Sequence, residues 1–94
     1  MNAAEKLIAR KGGVVVNDST EYVKKCVAYY VAEDTVIARI EVDGVTATDE
    51  KGNYITTAAT AVKAGVLLTP LDSEQHTVFS AITLTSGSVV AIHA

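Results

Sequence analysis

Apolar positions in this chain recur mostly at every second residue, in short runs broken by glycine, proline and small acidic or amide residues. That period is the pattern of strands with at least one buried face. The run near the C-terminus is the most informative. Two β-branched and aromatic stretches, Thr77 to Thr85 and Ser88 to His93, flank Ser86-Gly87, and the pattern predicts a β-hairpin. Whether the loop is Ser86-Gly87 or Gly87-Ser88, Val78, Ile82 and Leu84 share a face with Val89, Ala91 and His93. Phe79, Ala81, Val90 and Ile92 fall on the other face. Both faces are largely apolar, whereas a sheet with one solvated face alternates more cleanly. One face is therefore expected in the core, and the other against a second layer or another subunit.

The earlier chain continues the pattern. Ala3 to Lys11 reads as a short helix, with Glu5 near its start, Arg10 and Lys11 near its end and Gly12-Gly13 as the stop. Its stripe of Ala4, Leu7 and Ile8 is narrow, so it either docks on the sheet or serves as an arm that orders on a partner. Val14 to Val16 is a short strand closed by Asn17-Asp18-Ser19. Tyr22 to Ala32 reads as a strand on its β-branched and aromatic content. The helical alternative would place Tyr22, Val23, Cys26, Val27, Tyr30 and Val31 on one face, with Ser19 as N-cap. Thr35 to Val42 alternates Val36, Ala38, Ile40 and Val42 against Ile37, Arg39 and Glu41. Such a strand needs an antiparallel neighbour, and a turn at Glu33-Asp34 would supply it, with Val27, Tyr29 and Val31 joining the core. Val45 to Thr48 and Tyr54 to Thr57 flank a polar loop at 49–53 that suits a second, looser hairpin. Thr57 to Ala64 either extends a strand or forms one helical turn, and Val66 to Thr69 is a short strand stopped by Pro70. These elements predict an all-β single domain over 1–94: a small antiparallel β-sandwich or barrel, jelly-roll-like (14–94), preceded by a short N-terminal helix or arm (1–13).

Size and composition add a reason to associate. A chain of 94 residues with 5% aromatics buries only roughly 60–65% of its unfolded surface, which leaves a lone monomer marginal. Oligomerisation would compensate. A net charge of −3 with scattered Lys and Arg leaves no footprint for nucleic acid or an anionic membrane. Cys26 is the single cysteine, so it has no disulfide or zinc partner. The first residues lack a signal-peptide core, which leads us to expect synthesis in the cytoplasm. His76 and His93 have no partner at catalytic or metal spacing. Asp49, Glu50 and Asn53 depart from a calcium-loop spacing and read as a solvated turn. No catalytic residue, metal or cofactor is therefore expected. Tyr30, Tyr54 and the threonine faces (Thr46, Thr48, Thr56, Thr57, Thr60) suggest the alternative, a ligand- or glycan-binding module. An enzyme working through His76 and Asp72 is the remaining rival.

Two stretches carry a resemblance: Ala64-Gly65-Val66-Leu67-Leu68 followed by Phe79 to Ala91, and Tyr29 to Ala38. Together they look like small virion structural proteins of tailed bacteriophages, which pair a glycine-led strand with a terminal Ser-Gly hairpin. The resemblance implies a non-enzymatic head decoration or cement protein, or the base of a head fibre, usually a homotrimer. It further implies a place on the capsid surface after synthesis in the host cytoplasm, with the major capsid protein or another virion protein as partner. On this reading Leu7, Ile8, Phe79, Val90 and Ile92 form the subunit or capsid interface.

Overall fold

The computed structural model describes residues 12–43, 49–57, 59–70 and 78–94. Its strands are β1 (Gly13–Val16), β2 (Tyr22–Val31), β3 (Val36–Val42), β4 (Leu67–Leu68), β5 (Phe79–Ser86) and β6 (Val89–His93). Among the described residues the one helical element is a 3-10 turn at Lys51–Asn53. Every strand pair is antiparallel, in the order β1-β6-β2-β5-β3 with β4 added to β2. The protein is thus a small antiparallel all-β fold, as its period-two patterning predicts. The expected helix at Ala3 to Lys11, the strand at Val45 to Thr48, and Asp72 with His76 lie outside the described residues. Gly13 opens β1 instead of closing an arm, and Gly12 before it turns the chain at φ 77°.

The sheet is organised on β2. Its first half pairs with β5, through Tyr22↔Ile82 and Val23↔Ala81. Its second half pairs along the opposite edge with β6, from Ala28↔Ile92 to Val31↔Val89. The edge that β5 leaves is taken by β4, through Tyr29↔Leu68 and Tyr30↔Leu67. Where β2 changes partners it carries surplus residues. Lys24 and Lys25 stand against Ser80 alone, and Val27 falls between the pairs Cys26↔His93 and Ala28↔Ile92. Such bulges bend a strand and increase its twist. The sheet folds over at this point, so that β5 and β3 close on β1-β6-β2-β4. Between them lies one core, to which one half gives Tyr29, Val31, Leu68, Val89 and Ala91, and the other Ile37, Ile40, Val42, Phe79, Ile82 and Leu84. Each fully buried Val, Leu, Ile or Phe among them contributes about 1.5–3 kcal/mol relative to exposure.

The hairpins expected at Glu33-Asp34 and Ser86-Gly87 do not form, and Tyr54 to Thr57, expected as an arm of a looser one, is not a strand but follows the 3-10 turn. β2 does not pair with β3, nor β5 with β6; their partners lie elsewhere in the sheet. Both connections instead cross from one half of the fold to the other, at 32–35 and 87–88, and the two crossings are tied together. Ala32 N donates to the Ser88 carbonyl at 3.1 Å. Thr35, fully buried, donates its hydroxyl to the Glu33 carbonyl at 2.7 Å and accepts from Ser88 N at 3.0 Å. A crossing satisfies the main chain with one threonine and puts all four strands' inward faces into one core. A pair of hairpins would leave those faces side by side on a single surface.

Surplus residues also displace the inward faces. In β3, Ala38 is extra between Ile37↔Leu84 and Arg39↔Thr83, and in β5 Ser80 is extra between Glu41↔Ala81 and Val42↔Phe79. Ile37 and Ile40 are therefore both buried although three residues apart, as are Phe79 and Ile82. Strict alternation would have put Val36 and Ala38 inside with Ile40 and Val42, but those two are only half-buried. In β2 the same effect buries Cys26 and Tyr29 and leaves Val27 half-buried.

Candidate functional site

The predicted interface residues separate once the fold is seen. Phe79 is fully buried in the core, its ring stacked on Tyr29 at 4.5 Å and edge-on to Tyr54 at 5.4 Å. It packs against its own chain, which corrects its assignment to a subunit contact; the extra residue at Ser80 turned it inward. Ile92 is likewise fully buried within the chain, in register with Gly13 and Ala28, so it too leaves no surface for a second subunit. Val90 differs from both. It is half-buried on the face opposite the core, in register with Val15 on one side and Tyr30 on the other. Tyr30 is in turn paired with Leu67. Side chains in register share a face, so Val15, Val90, Tyr30 and Leu67 form an apolar row across β1-β6-β2-β4. Val15 is 58% exposed and the other three are half-buried. Leu7 and Ile8 lie outside the described residues.

The two ends of the sheet are finished differently. Beyond β3, the edge is sealed. Glu50 N donates to the Ile40 carbonyl at 2.7 Å, Ile40 N donates to Asp49 Oδ1 at 3.2 Å, and Lys51 Nζ donates to the Ala38 carbonyl at 2.9 Å. Further along, Thr35 and Val62 exchange backbone bonds of 2.9 and 2.7 Å. A charged side chain laid along an edge is one way sheets are protected from adding foreign strands. β1, at the other end, has no strand beyond it among the described residues, carries no charge, and exposes Val14 and Val15.

The acidic loop behaves as a structural turn. Burial raises the Asp49 carboxyl, but bonds from the Lys51 side chain, Lys51 N and Ile40 N, with the Lys51 charge, outweigh it and hold the group below its ordinary 3.8. Lys51 Nζ lies 2.7 Å from Asp49 Oδ2, and Glu50 Oε2 accepts from Asn53 Nδ2 at 2.6 Å. Among the described residues no three metal-ligating side chains come together. A carboxylate with a lowered folded value adds stability in full above the ordinary 3.8, and that stability is lost as pH falls through the folded value. Asp49→Asn should therefore cost about 1 kcal/mol at neutral pH. It should also flatten the acid limb of stability below pH 4, measured by urea unfolding across pH.

A second polar group lies where β2 begins. The Tyr22 hydroxyl and His93 Nε2 are 2.7 Å apart, and the rings are stacked at 6.3 Å. One donates and the other accepts according to the imidazole tautomer. Burial, then the nearby Cys26, raises the Tyr22 phenol. Burial also pushes Cys26 up to about 11, against the opposing charge of Lys24, which keeps it an unreactive thiol. Among the described residues no third group is bonded to His93 as a catalytic base would require, and the pair ties the last residues of β6 to β2. A third feature is an open groove of about 300 Å³ beside the 3-10 turn, lined by Tyr54, Ile55, Val62 and the hydroxyl residues Thr56, Thr57 and Thr60. The tyrosine and threonines were noted in the sequence, but their convergence was not, because nothing local predicts that Thr35 anchors Val62. Comparison of the chain with protein-family models, with curated proteins and with solved structures gives no match.

Proposed function

We propose that this protein is a non-enzymatic structural subunit that associates with its own copies, as a trimer on the resemblance above, and decorates or stabilises a phage capsid. The observation that carries the association is the half-covered row Val15-Val90-Tyr30-Leu67 running out to β1, which has no strand beyond it among the described residues. Asp49 and Lys51 protect one end of the sheet, whereas β1 at the other exposes Val14 and Val15, an apolar surface that suits a docking partner. A second copy docking on the row would remove its exposed surface from water and add area that a small core lacks. The virion setting, with the major capsid protein or another virion protein as partner, rests on the resemblance carried by 29–38, 64–68 and 79–91. Support for a structural role also comes from the described polar clusters, whose hydrogen bonds are spent within the fold.

Native mass by size exclusion with light scattering, over a dilution series, tests this reading. The wild type should run as a closed oligomer. Val15→Glu, at an exposed position where substitution changes folding stability by less than about 0.5 kcal/mol, should run as a folded monomer. A wild type that is monomeric at every concentration removes the proposal.

A further inference from the structure

We propose that the groove beside the 3-10 turn is a binding site for one unit of a neutral saccharide. This goes beyond the structural role and does not depend on it. At about 300 Å³, the groove is at the small end of ligand sites, which span about 300–1,000 Å³. Its apolar walls are Tyr54, Ile55 and Val62, all partly buried and packed on the core. Tyr54 is braced against Phe79. The main chain is held by Ile55 N to the Lys51 carbonyl at 3.0 Å, Thr60 N to the Thr57 carbonyl at 3.1 Å and the Thr35-Val62 pair. The walls are therefore in place before a ligand arrives, which lowers the ordering cost of binding.

Chemistry narrows the occupant. Among the described residues no charged side chain lines the groove, so a phosphate, carboxylate or amine would find no countercharge there. Exposed Thr56, Thr57 and Thr60 offer a rim of hydroxyls, each able to donate once and accept twice. Their β-branched side chains have few rotamers, so little freedom is lost when they bond a ligand. A peptide added as a strand would need free backbone groups along the groove. The amides of Ile55, Thr60 and Val62 are already engaged. A pyranose matches what is left: its C–H face suits the aromatic and aliphatic walls, and its hydroxyl edge suits the threonine rim. Because the groove is open, it would accept one residue of a longer chain.

The test is an amide-shift NMR titration of the whole chain with lactose, maltose, cellobiose and N,N′-diacetylchitobiose, each up to tens of millimolar. At least one should shift residues of 54–62 selectively, with a Kd on the order of 1–10 mM. The double variant Thr57→Val/Thr60→Val, both positions exposed, should weaken that binding roughly fivefold or more. Thr85→Val, exposed on β5, should leave it unchanged. Absence of shifts with all four sugars, shifts centred elsewhere, or an unaltered Kd in the double variant would each overturn the proposal.

Discussion

Gly87→Ala is expected to destabilise the protein by about 3–5 kcal/mol, a fall in Tm of more than about 12 °C for a domain of this size. Two costs combine. Gly87 has φ +89°, a conformation that L side chains rarely adopt. A Cβ there would also lie 2.6 Å from both the Asp34 carbonyl oxygen and Thr35 Cα, and against the Thr35 hydroxyl. Two of those three atoms are backbone, so no rotamer change relieves the overlap. The crossings would have to part, and Ser88 N would lose the Thr35 oxygen it bonds at 3.0 Å. Gly65→Ala separates the two costs. Gly65 has φ +94° but open space around it, so only the conformational penalty applies, about 1–2 kcal/mol. Thermal melts of the two variants should therefore differ widely. Equal losses would mean that the two crossings do not touch as described.

That contact explains what was legible in the sequence and what was not. Strand content was legible, because β-branched and aromatic runs at Tyr22–Val31, Val36–Val42, Phe79–Ser86 and Val89–His93 carry their own preference. One inward face was also legible: Ile82, Leu84, Val89 and Ala91 do meet in the core. Strand pairing was not. Ser86-Gly87 satisfies the local rule for a hairpin turn, and the glycine is indeed needed at positive φ. What requires it is Thr35, more than fifty residues earlier, and no local pattern announces that meeting. Glu33-Asp34, a poor primed turn, was the one hint that the chain crosses over there. Face assignment failed wherever a surplus residue intervenes. A strand with one extra residue exchanges its two faces beyond it, so Ser80 moved Phe79 into the core and left Val78 half-buried. The outer row was half legible for the same reason. Val90 follows a regular register with Val15 and Tyr30, whereas Phe79, grouped with it by alternation, lies across the bulge.

Phe79→Ala tests this division between core and surface, and it should cost about 3–5 kcal/mol. The ring is fully buried between Tyr29 and Tyr54, beside Cys26 in register on β2. Removing it would open a cavity where the two halves of the sheet meet. The Tyr29 hydroxyl there has no hydrogen-bond partner among the described residues, and burial, then Cys26 and Tyr22, raises its pKa far above the ordinary value. A neutral, unpartnered phenol cannot compensate for lost packing by forming a new internal bond with alanine. The concentration dependence is what decides the matter. Binding to a partner stabilises a fold by an amount that grows with partner concentration, so loss of a subunit contact changes the native mass and matters less as the protein is diluted. Loss of a core side chain does neither. Urea unfolding of Phe79→Ala and wild type at two protein concentrations a hundredfold apart should give the same difference at both, with the native mass of the folded variant unchanged. A difference that vanished on dilution, together with a smaller native mass, would return Phe79 to the subunit interface and displace the fold-over at Ser80 as the reason for its burial.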